Sequence, residues 1–209
     1  MKILLASTSP RRREILALLG VPFEVVTPAY DEVSSPHVPI REEVVAFALG
    51  KAQSVAVRHP GAIVIGSDTM IELAGDKIGK PNDRADAAQL LRRLSGKTHT
   101  IYTSLAIVDG AGGPGLQSVE EVSVTMRPLT QAEIERYLDL NESLDKAGAY
   151  SVQGQGHRII SAMKGDYLAA VGMPLKPIAA YLIGRGLAPR IDVDKLYAEK
   201  LFRDGNRFS

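Results

Sequence analysis

The sequence contains no cysteine. That excludes disulfides, thiol nucleophiles and thiolate metal centres, and it fits a reducing compartment. Long apolar runs are also missing, and nothing approaches the ~20 consecutive apolar residues of a membrane-spanning helix. The apolar run Ile3 to Ala6 is too short for a signal peptide, and Pro-Arg-Arg-Arg follows closely. A cytoplasmic protein is expected. Charge is nearly balanced, 25 Lys and Arg against 24 Asp and Glu. No global field therefore recruits nucleic acid or a membrane surface, and any anion site must be a local cluster. There is no G-x-x-x-x-G-K-[ST] loop, no dinucleotide fingerprint between a strand and a helix, and no G-x-S-x-G elbow. The four histidines, His37, His59, His99 and His157, lack metal-ligand spacing. Proline or glycine beside three of them marks mostly loop positions.

What is present suits a globular chain. With 209 residues, 45% of them hydrophobic and 23% charged, the material is that of one large domain, or one domain with two lobes. The pattern predicts a strand over 2–6 and a helix over 10–19, then, over 20–40, a strand followed by a long irregular connection that bears prolines. A helix over 41–58 follows, with Val44, Val45, Phe47, Ala48 and Ala52 on its apolar face. "AIVIGSDTMIEL" predicts a buried strand interrupted at Gly66-Ser67-Asp68. A helix over 83–94 and two alternating strands, "THTIYTSLAIVD" and "LQSVEEVSVTM", come next. Thr130 and Glu133 form a capping box for "QAEIERYLDL". "RIISAMKGDYLAAVG" resembles a hairpin and "MPLKPIAAYLIGRG" a final helix. The last twenty residues suit either an amphipathic extension through Leu196, Leu201 and Phe202 or a loosely attached tail. Early alternation of strands and helices with later strand pairs predicts an α/β fold with a mixed, partly antiparallel sheet.

The segment "STSPRRREIL" breaks a local rule. Ser9 suits an N-cap and Pro10 the first helical position, so Arg11, Arg12 and Arg13 crowd the positive end of a helix dipole. An anion between the arginines and the free N–H groups of the helix start would compensate. Asp68 should emerge at the end of its strand, where α/β proteins place ligands. A carboxylate there binds a divalent metal, takes a proton from water, or merely caps a turn. Lys80, between Gly79 and Pro81, is placed to reach a phosphate or is an ordinary loop lysine. Lys51 fits the polar edge of an amphipathic helix. In "SLDKAGAYSVQGQG", small residues admit a close approach to the backbone, and Asp145, Lys146 and Gln153 supply polar groups. A glutamine amide donates and accepts together, as a base edge requires. Tyr150 and Val152 predict an ordered strand within this segment. The sum suits metal-assisted hydrolysis of a phosphate ester or anhydride.

Six motifs in order, "LLASTSPRRREIL", "GSDTM", "GKP", "LSGKTHTIYT", "DKAGAYSVQG" and "GDYLAAVGMPL", resemble the Maf family of nucleoside triphosphate pyrophosphatases over roughly residues 1–185. The resemblance implies a single domain over 1–189, with two lobes around a nucleotide cleft as in the inosine-triphosphate pyrophosphatases, and an extension over 190–209. It implies hydrolysis of a nucleoside triphosphate to the monophosphate and pyrophosphate with Mg²⁺ or Mn²⁺, and a homodimer. Asp68 matches the family's general base. Ser7, Arg11 and Arg12 match its phosphate-binding opening. Lys51 and Lys80 match its lysines, and Glu32, with Asp68, a metal-holding carboxylate. Arg11, Thr69 and Gln153 match the branch acting on dTTP and UTP. A 7-methyl-GTP or broad pyrophosphatase, and a nucleotide-binding regulator of septum formation, are the alternatives.

Overall fold

The computed structural model describes residues 1–110, 115–187, 192–200 and 204. Its centre is a seven-stranded mixed sheet. Strands β1 (Ile3–Ala6), β2 (Glu24–Val26), β3 (Ile63–Leu73), β5 (Thr98–Asp109), β6 (Leu116–Met126) and β7 (Ile160–Lys164) lie in the order β2-β1-β3-β5-β6-β7. The short β4 (Asp76–Ile78) pairs with the end of β3. β1 is parallel to both of its neighbours, and every other pairing is antiparallel. The helices are α1 (Pro10–Ala17), α2 (Ile40–Ala56), α3 (Arg84–Leu94), α4 (Gln131–Leu138), α5 (Tyr167–Val171), α6 (Leu175–Gly184) and α7 (Val193–Ala198). None of the helices among the described residues is long and apolar enough to cross a membrane.

Both faces of the central strands are covered, so β1 and β3 carry continuous apolar runs in place of alternation. Successive residues nonetheless divide between the faces. Leu4, Ala6 and Val64 pack with Ala48, Ala52 and Val55 of α2. Ile3, Leu5, Ile63 and Ile65 join the larger core with Ile15, Leu16, Ile178 and Leu182. α2 approaches β3 closely, because a Cβ on Gly66 would lie 2.4 Å from the Ala48 carbonyl oxygen. The capping box of α4 forms as expected.

Three local expectations are corrected. β3 is not interrupted at Gly66–Asp68. It pairs with β5 from Ile63↔Asp109 to Glu72↔Thr100, and that unbroken ladder carries Asp68 to mid-strand. What ends near Asp68 is the neighbour. β1 pairs β3 as far as Leu5↔Ile65, and β4 begins only at Ile71↔Ile78, so among the described residues the β3 edge has no strand beside it in between. The supposed hairpin is β7 followed by α5, because Asp166 caps the second half, accepting from Leu168 N and Ala169 N at 2.8 and 3.3 Å. Residues Ala147–Ala149 and Gly154–Ile159 form 3₁₀ turns instead of a strand, with Gly148 at φ 72°. In the extension, Leu196 is buried, whereas Leu201 and Phe202 lie outside the described residues.

Candidate active site

The step in the sheet edge opens into a cleft of about 580 Å³. Ser7, Arg11, Arg12, Glu32, Lys51, Asp68, Thr69, Lys80 and Gln153, the nine residues that the resemblance assigns to the site, line it together with Asp145 and Lys146. They arrive from separate segments. Ser7 follows β1 and accepts from Ser9 N at 3.1 Å. Ser9 caps α1, accepting from Arg12 N at 3.5 Å, with Pro10 in the first turn. The arginines therefore do sit at the positive end of a helix, beside its free N–H groups.

β3 and β5 sort the polar residues by parity. Asp68 lies opposite Ser104 and faces α2, where Ser104 Oγ donates to Val44 O at 2.6 Å. Thr69 lies opposite Thr103 on the α5 side. Lys51 of α2 meets Asp68, its Nζ standing 2.5 Å from Asp68 Oδ1 and 2.5 Å from Glu32 Oε1. On the other side, Arg12 Nε donates to Gly172 O at 2.9 Å and its Nη2 to Thr69 Oγ1 at 3.3 Å. Ser67 Oγ also donates to Gly172 O, at 3.0 Å. Thr103 Oγ1 donates to Ala169 O at 2.8 Å and lies 3.2 Å from Thr69 Oγ1. Thr69 is thus gripped from both sides, and Arg12 is tied to the end of α5.

Glu32 lies in an irregular segment, and its position depends on anchors around it. Arg58 donates to Thr27 O at 3.0 Å, and Ala29 N donates to Ser54 Oγ at 3.2 Å. Tyr30 packs on α2 where a Cβ on Gly50 would lie 2.2 Å from its ring. Further along, buried Glu43 accepts from Ser35 N, Ser34 Oγ and Lys77 Nζ at 2.6, 2.9 and 2.6 Å. Burial works to raise the Glu43 carboxyl, and these donors together hold it below its ordinary value.

Opposing forces act on the central charges. Burial pushes the Asp68 carboxyl above the ordinary carboxylate value, although Lys51 and Arg12 pull against the shift. The Arg12 guanidinium is pulled down by burial, with Asp68 and then Glu32 opposing. A carboxylate raised in this way is a better proton acceptor near neutral pH than an exposed one.

A divalent ion can be tested against this donor set. Two carboxylates close on one ammonium, which shows that Glu32 and Asp68 share a cation position. No group of three or more His, Cys, Asp or Glu suited to a metal occurs among the described residues. The pair therefore fits Mg²⁺ or Mn²⁺ of the kind held by one or two carboxylates with substrate phosphates completing the shell. It does not fit a metal caged by protein alone.

Several residues that support the cleft from behind carry no signal in the sequence. Ser67, Thr103 and the Gly172 carbonyl organise Arg12 and Thr69, and pairing β3 with β5 would have placed Thr103 opposite Thr69. His99 lies in the expected strand, buried within β5, and its Nε2 lies 2.6 Å from the hydroxyl of Tyr150, which lines the cleft. Lys80 and Gln153 lie on loops that carry few other signals. Gly148 N donates to Gly79 O at 3.0 Å, tying the Lys80 loop to the turn before Tyr150.

Comparison with known proteins agrees with the fold. The profile of the Maf-like protein family matches residues 2–184. A dTTP/UTP pyrophosphatase of Moorella thermoacetica is 44% identical over 181 residues, 87% of this chain and 93% of its own length. Proteins of the same name from Symbiobacterium thermophilum and Deinococcus radiodurans are each 44% identical, over 174 and 189 residues. These alignments cover 83% and 90% of this chain, and 89% and 94% of the relatives.

Proposed function

The chain belongs to the family of Maf-like proteins, and on that premise we propose that it hydrolyses dTTP and UTP to the monophosphate and pyrophosphate. The observation that carries the reading is the pairing of a buried, proton-avid Asp68 with a cation shared by Glu32, directly beside an arginine-loaded helix start. The names of the relatives support the choice of substrate.

In this reaction Asp68 orients a water and takes its proton as the oxygen attacks the α-phosphorus. The bond from the α-phosphorus to the bridging oxygen breaks, and pyrophosphate leaves with the electron pair. Arg11, Arg12 and Lys80, with the N–H groups at the start of α1, hold the phosphates and stabilise charge as it develops on the leaving group. Ser7 lines the phosphate end. Lys51 keeps Asp68 ionised and oriented between turnovers. Glu32 and Asp68 would hold the Mg²⁺ or Mn²⁺, which supplies neutralisation of phosphate charge when bound. Arg11, Thr69 and Gln153 carry base selection, Gln153 through an amide able to meet the donor and acceptor edge of a pyrimidine.

The test is pyrophosphate release from dTTP, UTP, CTP, GTP and 7-methyl-GTP, with and without each metal, and with Asp68→Asn as control. Metal-dependent formation of monophosphate from dTTP and UTP is expected. Orthophosphate release would move the cut to the γ-phosphate and overturn the mechanism. Binding without turnover in the wild-type chain would overturn the enzyme reading in favour of a nucleotide-binding regulator.

A further inference from the structure

The family match stops at residue 184, and the chain continues. α7 is capped by Asp192, which accepts from Lys195 N at 3.0 Å, and it sends Leu196 into the main core. The next residue makes directional bonds that an apolar seat does not need. Tyr197 OH donates to Asp166 Oδ2 at 3.0 Å and accepts from Leu175 N at 3.3 Å, and the Lys176 ammonium lies 4.7 Å from its ring centre. The other oxygen of Asp166 caps α5. One carboxylate therefore joins α7 to α5. The far end of α5 presents Ala169 O to Thr103 and Gly172 O to Arg12 and Ser67. Farther along the chain, Asp204 Oδ2 accepts from Gly154 N at 3.0 Å, one residue beyond Gln153.

Both polar contacts thus end on segments that line the cleft, on its phosphate side and on its base side. We propose that the C-terminal extension is a positioning element of the nucleotide cleft: Tyr197 holds α5 and through it Arg12, and Asp204 holds the turn that carries Gln153. What occupies the cleft rests on the pyrophosphatase reading above. Neither residue touches the reacting atoms, so both act on how well the nucleotide is gripped.

Tyr197→Phe removes the hydroxyl and keeps the ring, and Asp204→Ala removes the acceptor of Gly154. Kinetics are measured at a temperature where circular dichroism shows every variant fully folded, and amide hydrogen exchange is followed without nucleotide. Losing one such hydrogen bond should raise KM for dTTP about three- to tenfold while kcat stays within about twofold. Exchange should quicken at Leu168 and Ala169 in the first variant and at Gly154 in the second. Unchanged KM in both variants, or faster exchange spread evenly over the sheet with KM unchanged, overturns the proposal. An effect in one variant alone overturns the part assigned to the other residue. If the wild-type chain hydrolyses no nucleotide, the pyrophosphatase reading falls, and the exchange pattern then decides the positioning role by itself.

Discussion

Lys51 satisfies two carboxylates at once, and the consequence for Asp68 is a balance of burial against charge. Asp68 must be ionised to accept a proton, and burial raises its pKa, so activity should rise with pH through that raised value. We expect the acid limb of the kcat/KM profile to lie above the ordinary carboxylate range. Asp68→Asn should remove the limb and lower kcat on the order of 10²–10⁴, with dTTP still bound in calorimetry. Arg11 lines the same cleft, and Arg11→Trp should turn base preference away from dTTP and UTP. An unaltered ranking across the nucleotide panel would sink that assignment. At this scale much was legible in the sequence, because chemistry announces itself by broken rules. Three arginines at a positive helix end have few structural excuses. Thr103 and Ser67 were silent because a hydroxyl inside a strand looks the same whether it faces solvent or holds an arginine's partner.

Secondary elements carry the site through two close approaches. α2 lies against β3 because Gly66 has no side chain, and the same seat brings Lys51 to Asp68. Gly66→Ala would force a Cβ to 2.4 Å from a backbone carbonyl that cannot rotate away. Overpacking of this kind should destabilise by about 1–3 kcal/mol. In a domain of this size, that is a fall in Tm of roughly 2–4 °C per kcal/mol, and kcat should fall with it as Lys51 moves. An unchanged Tm would show that α2 shifts without strain. The strands of this region were legible from their apolar runs, and β5 and β6 from their alternation. The place of Asp68 was not, because Gly-Ser-Asp in an apolar run looks like a break in the chain. The break belongs to the neighbouring strand, and a single strand's sequence does not say where its partner stops. "YLAAVG" is ambiguous for a related reason: an apolar run of that length fits strand or helix, and the cap at Asp166 decides.

At the scale of the whole molecule, buried His99 titrates against folding between mildly acidic and neutral pH. Burial holds His99 down at about 4, against an ordinary value of 6.5. Between those values the unfolded chain takes up a proton that the folded chain excludes. Stability contributed by the neutral imidazole is therefore complete above pH 6.5, is lost as pH falls towards 4, and falls no further below it. His99→Gln keeps a hydrogen-bonding partner for Tyr150 without the titration, and it should flatten this part of the stability profile. Urea unfolding at pH 7, 5 and 4 checks it, and equal slopes in variant and wild type would rule His99 out as the source.

The hydrogen bond from Arg12 to Gly172 joins residues 160 positions apart in the chain. A cleft closed by such a long reach does not exist on any nascent fragment, and contacts of this separation are slow to form. The seat between Arg12 and Gly172 is complete only once both segments have been made and brought together. An occupant of the cleft would clasp the Arg12 and Gly172 segments together, so dTTP should slow proteolysis of the folded protein in a time course run with and without it.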